Sequence, residues 1–277
     1  MEMERFPARI HILLASNAPI GVVIRRGPSK QVCTLLWDRC RDQFTLAQWL
    51  KGRIYERRSD LSPDGKYMIY FAMNGHWSSE TKGSWTAISR APWLRAIALF
   101  SKGDCWHGGG LFTGDRAYWL NDGYGHCLLQ DASEVHRDTR YQVLESYGGE
   151  CPGVYYLRLQ RDGWTYLQRD QLAKRKHLDI FEKPLKNGWM LRKIAHAEVG
   201  APPGKGCYWD EHELEHLTAG VLLKFPTWEW ADWDRNRLVW AAEGCLYTGY
   251  LRSHQLKDMT LIYDFNDLKF EPRCAPY

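Results

Sequence analysis

The sequence predicts an all-β fold, and three observations carry the prediction. Short β-prone runs recur along the whole chain, turn signals built on Asp, Asn, Gly and Pro separate them, and few stretches hold apolar residues at helical spacing. Turn-plus-strand units centre near Asn17, Asp64, Asp115, Asp162 and Asp234, at intervals of 47, 51, 47 and 72 residues. A four-stranded propeller blade occupies about 40 to 50 residues. The expectation is therefore one β-propeller-like domain over residues 1–277, with five or six irregular blades.

The densest signals lie between Arg58 and Leu120. Ser59-Asp60-Leu61-Ser62-Pro63-Asp64-Gly65-Lys66 reads as a tight turn in which Pro63 presets φ and Gly65 supplies a positive φ. Tyr67 to Ala72 is a strand, followed after a polar loop (Asn74 to Ser84) by Trp85 to Ser89 and by the apolar run Leu94 to Phe100. Trp106-His107-Gly108-Gly109-Gly110-Leu111-Phe112 then leads through a turn at Gly114-Asp115 into a strand from Ala117 to Leu120.

Before this stretch, Arg9 to Leu14 and Gly21 to Arg25 form a hairpin over Ser16-Asn17-Ala18-Pro19, and Val32 to Trp37 is a third strand. Phe44 to Tyr55 reads as a short helix or an irregular edge segment, with Gly52 opposing a long helix. After it, Cys127 to Leu129 is a brief strand. Val154 to Leu159 and Trp164 to Gln168 flank Asp162-Gly163, a strong hairpin signal. Later strands are His177 to Phe181, Trp189 to Ile194, Val221 to Phe225, Trp228 to Trp233, Arg237 to Ala242, Cys245 to Leu251, Thr260 to Phe265 and Leu268 to Phe270. Helix is expected only within Phe44 to Leu50, Asp131 to Arg140 and Asp210 to Leu217.

Composition narrows the function classes. The 44% apolar and 14% aromatic shares, with 14 Trp and 15 Tyr, exclude a disordered chain. A net charge of +4 is too small and too evenly spread to imply nucleic acid. The densest basic cluster, Lys174-Arg175-Lys176, reads as a solvated turn. Met1-Glu2-Met3-Glu4-Arg5 lacks the layout of a secretory signal, no run approaches the length of a membrane span, and a cytoplasmic protein is the expectation. The eight cysteines are scattered without a C-x-x-C pair and read as reduced thiols.

Leu61-Ser62-Pro63-Asp64-Gly65-Lys66 before an aromatic strand resembles the strand-turn-strand of WD40-like and TolB-like β-propellers. Trp230-Ala231-Asp232-Trp233-Asp234 before Arg237-Leu238-Val239-Trp240 has the same character. Longer phrases, Gln48 to Glu56, Trp85 to Arg90 and Tyr263 to Asp267, are similar to a set of bacterial proteins with no assigned activity. The resemblance implies a propeller-like fold and transfers no catalytic residue.

Several motifs invite chemistry. His212-Glu213-Leu214-Glu215-His216 matches H-E-x-x-H, which on a helix aims two imidazoles at one zinc ion with Glu213 as general base. That makes a zinc-dependent hydrolase the rival reading, although Glu215 and the polar flank Tyr208-Trp209-Asp210-Glu211 depart from the zincin pattern. Gly108-Gly109-Gly110 allows a backbone anion cradle, but it leads into Leu111-Phe112, and close strand packing explains it better. Asp60, Asp104, Asp232 and Asp234 are candidates for the acid and base of a carbohydrate-active propeller. The favoured reading assigns no catalytic residue, cofactor or metal. It is a protein-binding propeller, in one form a bacterial partner-blocking or immunity-type protein, contacting another protein through its long connections Asn74 to Ser84 and Gly200 to His216. Trp77 and Trp209 are the expected anchors, with His76, Asp210 and His212 on the polar rim.

Overall fold

A computed structural model describes residues 6–277. The Met1 to Arg5 segment, whose sequence argued against a secretory signal, lies outside the described residues. Those residues form 21 strands and one ten-residue α-helix. The chain is all-β, and its strands group into five sheets among the described residues.

Strands β1 (Arg9–Leu14), β2 (Ile20–Arg26), β3 (Gln31–Asp38) and β4 (Gln43–Lys51) form the first sheet in chain order. Next come β5 (Arg53–Leu61), β6 (Tyr67–Met73), β7 (Ser84–Arg90), β8 (Ala96–Ser101), β9 (Gly110–Phe112), β10 (Ala117–Leu120), β11 (Cys127–Gln130) and β12 (His136–Arg137). The second sheet runs β11-β8-β7-β6-β5 and the third β12-β10-β9. After helix α1 (Pro152–Arg161), β13 (Thr165–Ala173), β14 (Lys176–Pro184), β15 (Trp189–Glu198), β16 (Tyr208–His216) and β17 (Val221–Phe225) make the fourth sheet. The last sheet is β18 (Trp228–Asp234), β19 (Arg237–Ala242), β20 (Cys245–Arg252) and β21 (Gln255–Asp264), again in chain order.

The chain divides into two compact units. One comprises Ile12–Arg158 with Lys269–Tyr277, and the other comprises Leu159–Leu268 with the chain up to His11. In the first, Val22, Ile24, Met68 and Tyr70 centre one apolar cluster, and Ile69, Ile88, Phe112 and Tyr118 centre another. The second buries Phe181, Trp189, Leu214 and Leu246. It also carries an aromatic stack in which Phe225, Trp228 and Trp240 follow at 3.7 and 4.6 Å between centroids.

Most expected strands are present, and the turn at Ser62 to Lys66 forms as its residues require. Gly65 has φ +74°. The Asp64 carboxylate accepts the Ser62 hydroxyl at 2.7 Å and the Lys66 amide at 3.1 Å. The helix assignments fail. Phe44 to Leu50 belongs to β4 and Asp210 to Leu217 largely to β16, while Asp131 to Arg140 holds only the two-residue β12. The true helix covers Val154 to Leu159, which reads as a strand in sequence. Pro152 opens this helix, where a missing N–H costs nothing, and eight of its ten residues are buried, all but Gln160 and Arg161. It therefore shows neither a two-residue alternation nor a polar face. Asp162-Gly163 is its end rather than a hairpin: Gly163 has φ +88°, and the Trp164 amide returns to Leu159 O at 2.9 Å. Leu268 to Phe270 is not a strand.

Candidate functional site

The two expected binding stretches part company. Asn74 to Gly83 is a structured loop: the Asn74 and Gly75 amides both donate to Gly83 O, at 3.0 and 3.1 Å, and the His76 amide donates to Asn74 Oδ1 at 2.9 Å. Trp77 is 57% exposed. Its ring lies over Gly83, where an added Cβ would come within 2.6 Å of a ring carbon. His76 is exposed beside it.

Gly200 to His216 is a loop only as far as Cys207. Trp209, Asp210 and His212 stand on β16, which pairs with β15 at all three residues and with β17 from His212 onward, and are 5%, 2% and 0% exposed. This corrects their placement on a long connection: they belong to a strand. Trp209 stacks on His196 with centroids 4.5 Å apart. His212 Nε2 lies 2.7 Å from Lys193 Nζ and its Nδ1 lies 2.9 Å from Trp228 O. An ammonium can only donate and a carbonyl only accept, so this imidazole is neutral with its proton on Nδ1. Asp210 Oδ2 stands 3.5 Å from the same ammonium.

The strand also removes the zinc geometry. Four residues along a strand span about 13 Å, whereas two nitrogens at about 2 Å from one zinc lie no more than about 4 Å apart. Strand parity turns Glu213 to the other face, where its carboxylate meets Arg192 at 3.1 Å and Lys224 at 3.3 Å. The carbohydrate-active candidates are likewise tied up: Asp60 accepts the Phe112 amide at 2.7 Å, Asp104 pairs with Lys102 at 2.7 Å, Asp232 with Lys183 at 2.6 Å, and Asp234 with Arg237 at 3.0 Å.

The three consecutive glycines serve packing. A Cβ on Gly108 would strike the Phe71 ring, one on Gly109 would meet Arg58 O at 1.9 Å, and one on Gly110 would meet Trp119 O at 2.1 Å. Their donors are spent as well, since Gly108 N–H reaches Asn121 O and Gly109 N–H reaches Thr86 Oγ1, both at 2.9 Å.

The loops beside these glycines build a site that motif reading misses. Its centre is Asp122. One carboxylate oxygen lies 2.9 Å from His126 Nδ1 and the other accepts Arg137 at 3.1 Å. His126 Nε2 lies 3.2 Å from the Thr86 hydroxyl. Burial lowers the pKa of His126 despite the pull of Asp122. The neutral ring then donates from Nδ1 and accepts from Thr86. The order hydroxyl, imidazole, carboxylate is that of a nucleophilic triad, but Thr86 is fully buried and the His126 side chain is 1% exposed. The chain of bonds ties Asp122 to the buried Thr86 hydroxyl, which also accepts the Gly109 amide at 2.9 Å.

Asp122 and Arg137 line two neighbouring cavities. The larger, about 530 Å³, has apolar walls from Phe100, Tyr118, Leu128 and Val135. Burial, with Asp131 adding to it, raises the Tyr118 phenol to about 12. The smaller, about 350 Å³, is lined by His107, Trp119, Asn121, Ser146 and Gly149 among others. Around them stand exposed aromatics on loops that brace one another: Trp106 and Tyr124 are 49% and 61% exposed. The Ser84 hydroxyl holds Asp104 O at 2.7 Å, Lys102 lies 4.8 Å from the Tyr124 ring, and that ring packs against His107 at 5.3 Å.

In sequence, Asp122, His126 and Arg137 occupy a turn, a strand flank and a polar loop, in no spacing that marks a site. No protein-family model matches this chain, and no curated protein is significantly similar to it.

Proposed function

We propose that the protein is a non-enzymatic recognition module that binds another protein through the loops around Asp122. The observation that carries this reading is the set of exposed aromatics, Trp77, Trp106 and Tyr124, on loops held in place by internal hydrogen bonds. A large apolar ring left in water on a rigid loop loses no burial of its own when a partner covers it, and such rings dominate interface energetics. His76 belongs to the polar rim. The buried, mutually paired titratable groups fit a binding role better than catalysis. Meanders laid down in chain order suit propeller-like blades, five of them irregular in the third, where β11 joins the second sheet. Recognition on the loops of a stiff β scaffold is the usual division of labour. No helix among the described residues is long and apolar enough to cross a membrane.

The test is affinity purification from the native cell with the wild type and with a Trp77→Ala/Trp106→Ala double variant. A partner recovered with the wild type and at least tenfold depleted with the variant, at equal melting temperature, supports the reading. Equal recovery of every co-purifying protein removes it.

A further inference from the structure

We propose that the smaller cavity beside Asp122 is a binding site for a single carboxylate group, held by Arg137. The Arg137 guanidinium donates to Asp122 at 3.1 Å, and its side chain is 42% exposed where the two cavities meet. Its remaining donors have no acceptor among the described residues. A planar fork with unspent N–H groups suits a carboxylate, which takes two parallel hydrogen bonds.

The other walls offer donors and rigidity. Asn121 spends one amide hydrogen on Gly108 O at 3.3 Å, leaving its second, and Ser146 adds a hydroxyl. His107 Nδ1 is buried without a partner among the described residues. Its ring is clamped between two glycine backbones, since a Cβ on Gly123 would come within 2.2 Å of it and one on Gly149 within 2.8 Å. A Cβ on Gly153 would stand 2.1 Å from Gly148 O. The cavity is thus walled by backbone that admits no side chain, a preorganised shape that spends little entropy on binding. Trp119 and Val143 supply apolar surface for the body of the ligand.

Charge selects the ligand class. Asp122 already offsets the Arg137 charge, so the unspent N–H donors rather than net charge hold the ligand; a carboxylate adds one negative charge near Asp122 and a dianionic phosphate two, so the repulsion is smaller for the carboxylate. The carboxylate can come from an acidic side chain of a protein partner or from a free small acid. The first source rests on the recognition function proposed above; the site itself does not.

The experiment is calorimetric titration of the full chain with four probes: 4-acetamidobutyrate, its primary amide, inorganic phosphate, and the peptide acetyl-Gly-Glu-Gly-amide. Both carboxylates should bind saturably, at least tenfold tighter than the amide and tighter than phosphate, and Arg137→Gln should lose at least tenfold in affinity for them. An unchanged melting temperature guards against a trivial folding loss in the Gln variant, and Asp122→Asn, with one negative charge fewer beside Arg137, should gain affinity for phosphate. A peptide that binds tighter than acetamidobutyrate points to an acidic partner segment, and the reverse order points to a small acid. The site is overturned if neither carboxylate binds, if the amide binds equally, or if Arg137→Gln binds unchanged. Saturable binding together with unchanged partner recovery by the Trp77/Trp106 variant would retain the site and remove the protein-binding function.

Discussion

The loop at residues 74–83 and the strand at 208–216 look alike in sequence and behave oppositely in the fold. Each has glycines close by, and each pairs a tryptophan with histidine and charged neighbours. Trp77 nevertheless stands in water on a loop closed by Gly75 and Gly83, both at positive φ. Trp209 is buried on a strand with neighbours on either side. The difference lies in strand pairing and cover. Trp209 shares a strand face with Glu211, Glu213 and Glu215, opposite Asp210, His212, Leu214 and His216, and is covered there by the His196 ring stacked 4.5 Å away. The Glu face meets cations, with Arg192 bonded to both Glu213 and Glu215. The 74–83 loop has no such two-residue period.

The largest effect that sharpens the contrast is on stability. Trp209→Ala should cost about 3 to 5 kcal/mol, the usual loss for a buried tryptophan, and Trp77→Ala about 0.5 kcal/mol, as for a surface change. Denaturant melts of the two variants measure both. Equal losses would put the two tryptophans in the same class and break the comparison.

His212→Ala should cost about 1 to 3 kcal/mol, because Lys193, itself 1% exposed, loses its 2.7 Å partner. The same melts check it. Incubation with a strong chelator should leave the wild-type melting temperature unchanged. A drop in the wild type that vanishes in a His212→Ala/His216→Ala variant would restore the zinc reading.

The smallest effect concerns pH. Burial lowers the pKa of His126 from an ordinary value of 6.5. The unfolded chain therefore takes up this proton near pH 6.5, while the folded chain takes it up only at lower pH. Its contribution to stability is complete above about pH 6.5 and is lost as pH falls from there toward the folded value. Burial lowers His177 and His196 in the same direction. The melting temperature should fall between pH 7.5 and 5.5, and His126→Gln should make that fall shallower. A fall of the same size in the variant would show that His126 is not part of it.

Much of the fold is legible in the sequence because strands bounded by strong turns carry their own signals. Ser62-Pro63-Asp64-Gly65 closes β5 to β6, and Val221–Phe225 and Arg237–Ala242 are strands at the bounds their residues imply. The same signals mislead at Asp162-Gly163, where a positive-φ glycine ends a helix instead of a hairpin. The first hairpin of the fourth sheet turns at Lys174-Arg175 instead, with Arg175 itself at φ +60°. The helix escapes notice because burial on every side erases its period. Little of the candidate site is legible. Trp77 and His76 stand out as aromatic and polar residues between turn signals, whereas Asp122, His126 and Arg137 meet only through tertiary packing. H-E-x-x-H shows the converse hazard, a spacing whose chemistry exists on a helix and is lost on a strand.

Hydrogen exchange of the partner-bound protein against the free protein puts the central claim to its most direct test. Protection on binding should appear at residues 74–84 and 102–126 and be absent from 208–216, which the sheet already protects. New protection confined to the Gly200 to His216 stretch, with the Trp77 and Tyr124 loops unchanged, would contradict the account.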